Sequence, residues 1–170
     1  KTLKLIIVEI KNNFSDQMIL GICRGTRNGY EQKFFIDNLY CEIIGTEISD
    51  NAEKFKHTIM WDFHDRKKEW ENKFNFLYSN SLDQSFNPDE ALEVWFGQII
   101  KNGIMIIEHS DTSFESSLTD PFSVDQYYFS YFLSKKFSFK ASIKIIETTK
   151  PQKKRNGENI KIWLYIIKKL

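Results

Sequence analysis

The chain has 170 residues, 41% of them hydrophobic and 28% charged, with a formal net charge of +1. That length suits one domain over residues 1–170 around one core, and the near-neutral charge gives no bulk electrostatic grip on nucleic acid or membrane. Two cysteines, Cys23 and Cys41, are too few for a disulfide framework and point to a reducing, cytoplasmic setting, no apolar run approaches the roughly 20 residues of a membrane helix, and no stretch reads as a signal peptide.

Leu3, Ile6, Ile7, Ile10 and Phe14 recur at intervals of three and four, which predicts one apolar helix face. Residues 17–23, QMILGIC, read as a short buried strand, and a turn bearing Gly25 and Gly29 follows. Residues 30–39 predict a helix with Phe34, Phe35 and Leu39 as its apolar positions. Residues 41–49 read as a second strand, 51–56 as a short helix, 57–63 as a third strand, 66–72 as a polar helix and 74–80 as a fourth strand. The clearest helix spans 87–103. Asn87 caps it, Pro88 suits a first turn that needs no amide donor, and Asp89 and Glu90 favour the positive end of the dipole. Leu92, Trp95, Phe96 and Ile99 share its inner face, Lys101 lies near its end, and Gly103 offers a left-handed stop. Residues 104–109 are a fifth strand. A helix over 123–136 opens on Ser123 with Gln126 as a capping box, and Val124, Tyr127, Tyr128 and Tyr131 line one face. Residues 142–148 and 159–167 are two strands joined by a polar turn containing Asn156 and Gly157.

Five alternations of strand and helix imply right-handed crossovers and a mostly parallel sheet covered on both faces. The last two strands are joined too tightly for a parallel crossover and form an antiparallel hairpin. Open sheets of this kind bind ligands beyond the carboxyl ends of their strands, where strand order reverses. If the chain starts in mid-sheet, the first and fourth strands become neighbours there. The loops to watch are then 21–31, 47–50, 61–65, 79–85 and 109–123. Glu47 ends the second strand, where a carboxylate can accept both hydroxyls of a ribose. Asp62 ends the third, where it can accept from the exocyclic amine of adenine or cap the turn after it, a role also open to Asp65. The turn lacks both the dinucleotide-binding glycine spacing and the phosphate-binding loop pattern. Gly25 and Gly29 are its permissive positions.

Taken in order, these segments resemble the class I S-adenosylmethionine-dependent methyltransferases, in the branch related to small-molecule (type 11-like) enzymes. ILGICRGTRNGYE resembles the family's first motif, IIGTEIS its second and WDFHD its third. FNFLYSNSLDQSFNPDEALEVW resembles the fourth strand and its loop, and IIKNGIMIIEHS the turn into the fifth strand. The resemblance covers residues 17–110 by motif and the whole chain by element order. It implies a Rossmann-like α/β fold, a three-layer αβα sandwich with a mostly parallel seven-stranded sheet ending in an antiparallel hairpin. It also implies S-adenosylmethionine as methyl donor, with S-adenosylhomocysteine (SAH) as product. The implied cofactor residues are Gly21, Cys23, Arg24, Gly25, Arg27 and Gly29 around the methionine end, Glu47 and Ile48 at the ribose, Asp62 and Phe63 at the adenine, and Ser79 and Asn80 beside them. The chain departs from the pattern where Gly21 replaces the usual acid of the first strand and where Cys23, Arg24 and Arg27 interrupt the glycines. Arg24 or Arg27 then suits the methionine carboxylate.

Methyl transfer from a sulfonium is an in-line displacement governed by positioning, and a base is needed only for a hydroxyl or charged-amine acceptor. Asp83, His109 and Asp111 lie in loops with no other assignment, and Asp83 and His109 are the catalytic candidates. The expected acceptor is a small molecule or a glycan, with no nucleic acid or membrane partner, and self-association is open. His57, His64 and His109 show no metal-ligand spacing with the cysteines. The basic segment 150–159 reads as a solvated hairpin edge. A catalytically inactive binding or scaffold protein of the same fold is the alternative, supported by the altered turn and opposed by Glu47 and Asp62. A nicotinamide dehydrogenase would need a tighter glycine fingerprint than this turn has.

Overall fold

In strand order β3-β2-β1-β4-β5-β7-β6, seven strands form a single sheet. The computed structural model describes residues 2–15, 17–112, 116–151 and 159–170. The elements are α1 (Thr2–Asn13), β1 (Ile19–Arg24), α2 (Tyr30–Asn38), β2 (Cys41–Glu47), β3 (Thr58–Met60), β4 (Phe74–Ser79), α3 (Pro88–Gln98), β5 (Ile99–Ser110), α4 (Gln126–Lys136), β6 (Ala141–Pro151) and β7 (Asn159–Lys169). Strands β1 to β5 pair in parallel, and β7 runs antiparallel to both β5 and β6. No helix among the described residues is long and apolar enough to cross a membrane.

Strand alternation divides the core into two layers. Phe76 and Tyr78 of β4, Ile104 and Ile106 of β5, and Leu164 and Ile166 of β7 pack with α1 and α2. Leu77, Met105, Ile107, Tyr165 and Ile167 face the opposite way, onto α3 and α4. Helices therefore cover both faces, as a parallel sheet with continuous apolar strands requires. Within β1 the same alternation sends Gly21 and Cys23 to the α2 side. A Cβ on Gly21 would lie 2.3 Å from the Phe76 ring, so that ring fills the side-chain space the glycine leaves. Arg24 goes to the α3 side.

Four elements differ from the sequence expectation. The helix expected to reach Gly103 stops at Gln98, and Ile99 already pairs with Phe74 as the start of β5. Its last carbonyls are taken from outside the helix: Asn72 N–H donates to Gly97 O, Lys73 N–H to Gln98 O, and Lys169 Nζ to Phe96 O and Ile99 O. The left-handed residue beyond it is Asn102, not Gly103. The helix expected from Ser123 starts at Gln126, because the Asp125 carboxylate accepts from the Tyr127 and Tyr128 amides at 2.8 and 3.0 Å. Its inner face carries Phe129 and Leu133, while Tyr127, Tyr128 and Tyr131 are exposed. The third strand shrinks to three residues, since His57 before it has a left-handed φ of 61°. The stretch 66–72 holds one 3-10 turn, Lys68–Trp70, and Trp70 is drawn into the core. The 156–157 turn and most of the basic segment lie outside the described residues.

Candidate functional site

β1 and β4 are neighbours in the sheet, and the chain leaves them in opposite directions, toward β2 and toward β5. The crevice beyond their carboxyl ends is where a ligand site belongs in such a sheet. The turn after β1 is stitched to both neighbours. The Gly25 and Thr26 amides donate to Thr46 O at 2.9 and 3.1 Å, and Ser81 Oγ donates to Gly25 O at 3.0 Å. Gly25 has φ of 68°, and a Cβ there would lie 2.6 Å from Ser81 Cβ, so the position demands glycine on both conformation and space. A buried amide fixes the turn from below. Gln32 Nε2 donates to Thr26 Oγ1 and Thr58 Oγ1, each at 3.0 Å, and it occupies the space of the missing Gly45 side chain, whose Cβ would lie 1.6 Å from it.

Glu47, at the end of β2, is aimed by the turn. Its Oε2 accepts from the Arg27 amide at 3.0 Å and its Oε1 from the Ser49 amide at 3.1 Å. Each oxygen keeps a further lone pair for a ligand. Beside it opens a cleft of about 890 Å³ whose walls include Gly25, Arg27, Tyr30, Glu47, Lys54 and Asn80. A smaller apolar recess of about 110 Å³ adjoins it, walled by Ile48, Trp61, Asp62, Phe63, His64 and Phe86. Gly25, Glu47 and Gln84 border both. Asp62 is held by one oxygen only: Oδ1 accepts from the His64 amide at 2.9 Å and from His64 Nδ1 at 2.7 Å. His64 Nε2 lies 2.7 Å from Ser85 Oγ, which also accepts from the Asn87 amide. Asp62 Oδ2 carries no hydrogen bond among the described residues, and Asp62 borders the recess.

A third cavity, about 170 Å³, lies on the other side of Asn80, a residue it shares with the large cleft. It contains both catalytic candidates. Burial pushes the Asp83 carboxyl up to about 6, helped by the charge of Asp120. Burial also pushes the His109 imidazole down to about 4, against a hydrogen bond to the Val124 backbone and the charge of Asp125. His109 lies flat on Phe129, with ring centroids 4.4 Å apart and planes 8° from parallel. Its Nε2 and Asp83 Oδ1 are buried without a partner among the described residues. Asp111 Oδ1 is buried and unpartnered as well, but Asp111 does not line this cavity.

No protein-family model matches the sequence, and no curated protein matches it. Solved structures do match in three dimensions. A CurJ carbon methyltransferase structure superposes on 99% of this chain with a TM-score of 0.68 at 9% identity, and the chain spans about half, 53%, of that protein's length. The plantazolicin methyltransferase BpumL, in complex with SAH, superposes on 99% with a TM-score of 0.74 at 14% identity, and 82% of it is covered. The fold is that of the class I S-adenosylmethionine-dependent methyltransferases. The [4+2]-cyclase SpnF matches as well, over 97% of this chain and 80% of its own, with a TM-score of 0.71 at 10% identity. A methyltransferase fold at such identities fixes architecture and leaves activity to the site.

Within that fold the expected residues divide into two groups. Gly25, Arg27, Glu47, Ile48, Asp62, Phe63 and Asn80 border the cleft or its recess, and Asp83 and His109 border the third cavity. The others line none of these three cavities. Gly21 is covered by Phe76. Cys23 is fully buried in the α2-side core, and burial holds its thiol well above the ordinary range. Gly29 is the left-handed residue that opens α2. Ser79 ties strand to strand, its Oγ donating to Arg24 O and accepting from the Ser81 amide.

Arg24 is the main correction. Its side chain is 1% exposed and runs under α3, with NH1 donating to Thr46 Oγ1 at 3.3 Å and NH2 to Gln98 Oε1. Its guanidinium carbon sits 4.9 Å from the centre of the Trp70 ring. It faces the core and cannot meet a ligand in the cleft. Sequence reasoning placed Tyr30, His64 and Ser85 in loops to watch without singling them out, and missed Lys54 and Phe86 altogether. Lys54 follows strand two closely enough that a wider reading of the 47–50 loop would have reached it. The His64–Ser85 contact joins residues 21 apart and left no signal in spacing.

Proposed function

We propose that the protein is an S-adenosylmethionine-dependent methyltransferase acting on a small molecule or a glycan. The observation that carries this reading is the junction at Asn80, where a cleft ordered around Glu47 meets a cavity that holds two buried titratable groups. The residues present fit the donor. Glu47 keeps one lone pair on each oxygen for a ribose diol, and Asp62 Oδ2 is open to an adenine amine beside Ile48, Phe63 and Phe86. Arg27 is the exposed cation of the turn for the methionine carboxylate. Bound there, the cofactor supplies an electrophilic methyl group on a good leaving group. The chain's part is to orient the two reactants, to exclude water, and to take a proton where the acceptor carries one.

An inactive binding protein of the same fold is the second reading, favoured by the arginine that stands among the glycines of the turn. Isothermal titration with SAH and S-adenosylmethionine separates the two. The enzyme reading expects micromolar binding that Glu47→Ala weakens by roughly a hundredfold, as two charge-assisted hydrogen bonds are lost. Absence of heat, or binding indifferent to Glu47, leaves the binding-protein reading in its place.

A further inference from the structure

The Asn80–His109 cavity has a composition that narrows the acceptor. Its walls combine Leu82, Ile107, Phe122, Phe129, Ile160 and Ile162 with the polar residues Asn80, Asp83, Glu108, His109 and Ser110. The rings are layered: His109 on Phe129 at 4.4 Å, and Phe122 tilted against Phe129 at 6.1 Å. A flat ring suits these layered rings, and a volume of roughly 150 Å³ is enough to admit a benzene-sized guest.

The two unpartnered atoms set the ring's polar group. The His109 bond to the Val124 backbone leaves Nε2 as the nitrogen with no partner among the described residues. In a neutral ring donating through Nδ1, Nε2 carries the lone pair and accepts. Asp83 Oδ1 accepts whenever the carboxyl is ionised. Both therefore ask for a donor, and each is buried, so a guest lacking one leaves both unsatisfied.

We propose that this cavity receives a single-ring aromatic or heteroaromatic acceptor bearing an N–H or O–H nucleophile, of the aniline or phenol kind. The proposal rests on the methyltransferase reading for what happens next. The ring's nitrogen or oxygen forms a bond to the methyl carbon as the carbon–sulfur bond breaks and its electron pair leaves on sulfur. The acceptor's departing proton passes to the Asp83 carboxylate; the second N–H of an aniline also donates to His109 Nε2, whereas the single O–H of a phenol serves Asp83 alone. Asp83 is the better proton holder of the two, because its conjugate acid lies at about 6 and that of His109 at about 4.

The test is a two-dimensional amide NMR titration of the chain with phenol, aniline and toluene, which share a ring and differ in the donor. Phenol and aniline are expected to bind about tenfold tighter than toluene or better, one net hydrogen bond being of that order. Shifts should concentrate at Phe129, His109 and Asp83. Asp83→Leu should reduce the preference, and so should Asp83→Asn to a smaller degree; the spectra themselves show whether each variant is folded. Toluene binding as tightly as phenol, or glucose binding tighter than either, overturns the proposal. SAH is titrated into the same samples. A ring preference without SAH binding overturns the methyl-transfer reading and leaves a binding site for donor-bearing rings. SAH binding without the ring preference overturns this inference alone.

Discussion

Two arginines three residues apart in one turn have opposite fates, and strand geometry decides which is which. Arg24 is the last residue of β1 and alternates with Cys23, so its side chain is committed to the α3 face and enters the core. Arg27 follows the left-handed Gly25, has a left-handed φ of 47° itself, and remains at the cleft. Burial lowers the Arg24 guanidinium to about 9, and it faces two neutral oxygens and a Trp70 ring with no carboxylate. Its Nε has no partner among the described residues. A buried cation satisfied this incompletely contributes little net stability, and replacing such a group with an apolar one of similar length is often neutral or stabilising. Arg24→Met is therefore expected to change the urea unfolding free energy by less than about 1 kcal/mol and to leave SAH affinity unchanged. Arg27→Ala should leave stability alone and weaken SAH binding about tenfold, the loss of one partly exposed charge-assisted contact. Loss of affinity in the Arg24 variant with Arg27 silent would reverse the assignment of the two residues.

At the scale of elements, the end of α3 shows where sequence signals stop. Inner-face periodicity, the Asn87 cap and Pro88 made its start legible, and Asn87 Oδ1 does accept from the Glu90 amide. Its end was not legible. Lys101 and Gly103 suit a helix terminus locally, but strand pairing claims Ile99 first, and the helix closes on donors from Asn72, Lys73 and the distant Lys169. Tertiary demand overrode propensity there, as it did at Ser123, where Asp125 is the residue whose oxygen meets the first amides. Order, parallel pairing and the closing hairpin were readable because they follow from apolar run lengths and connection lengths. The loops holding Glu47, Asp62, Asp83 and His109 were readable from strand ends alone. Which of their side chains turn inward was not, since that depends on alternation counted from a strand boundary that the sequence gives only to within a residue or two. Lys169 now becomes a testable cap. Lys169→Met removes a cation and two hydrogen bonds from the last carbonyls of α3, and should cost about 1 kcal/mol in urea unfolding. A cost indistinguishable from zero would mean that water closes this helix end equally well.

The whole molecule places its two catalytic candidates in one cavity, and their titrations pull on global stability in opposite directions. This fold also belongs to a [4+2]-cyclase, so architecture alone says nothing of proton transfer; the behaviour of Asp83 and His109 does. Folded Asp83 keeps its proton up to about 6, whereas the ordinary carboxyl releases it near 3.8. Between those values folding takes up a proton, so raising the pH opposes folding. Folded His109 stays neutral down to about 4, whereas an ordinary imidazole charges near 6.5. Between those values folding releases a proton, so raising the pH favours folding. The windows overlap from about 4 to about 6, and there the two contributions largely cancel. The charged neighbours sharpen this: Asp120 adds to the rise of Asp83, and Asp125 limits the fall of His109. Single substitutions should uncover each half. In Asp83→Asn the opposing carboxyl is gone, so stability relative to wild type should grow as pH rises through this window and level off above it. In His109→Gln the imidazole is gone, so stability relative to wild type should be greatest at the acid end and decline toward pH 6.5. Urea midpoints measured at half-unit steps across the window read both differences. Parallel profiles for all three proteins would mean that the cavity is wetter than its walls imply, and that neither group is held in the protonation state that proton transfer from an aniline- or phenol-like acceptor requires.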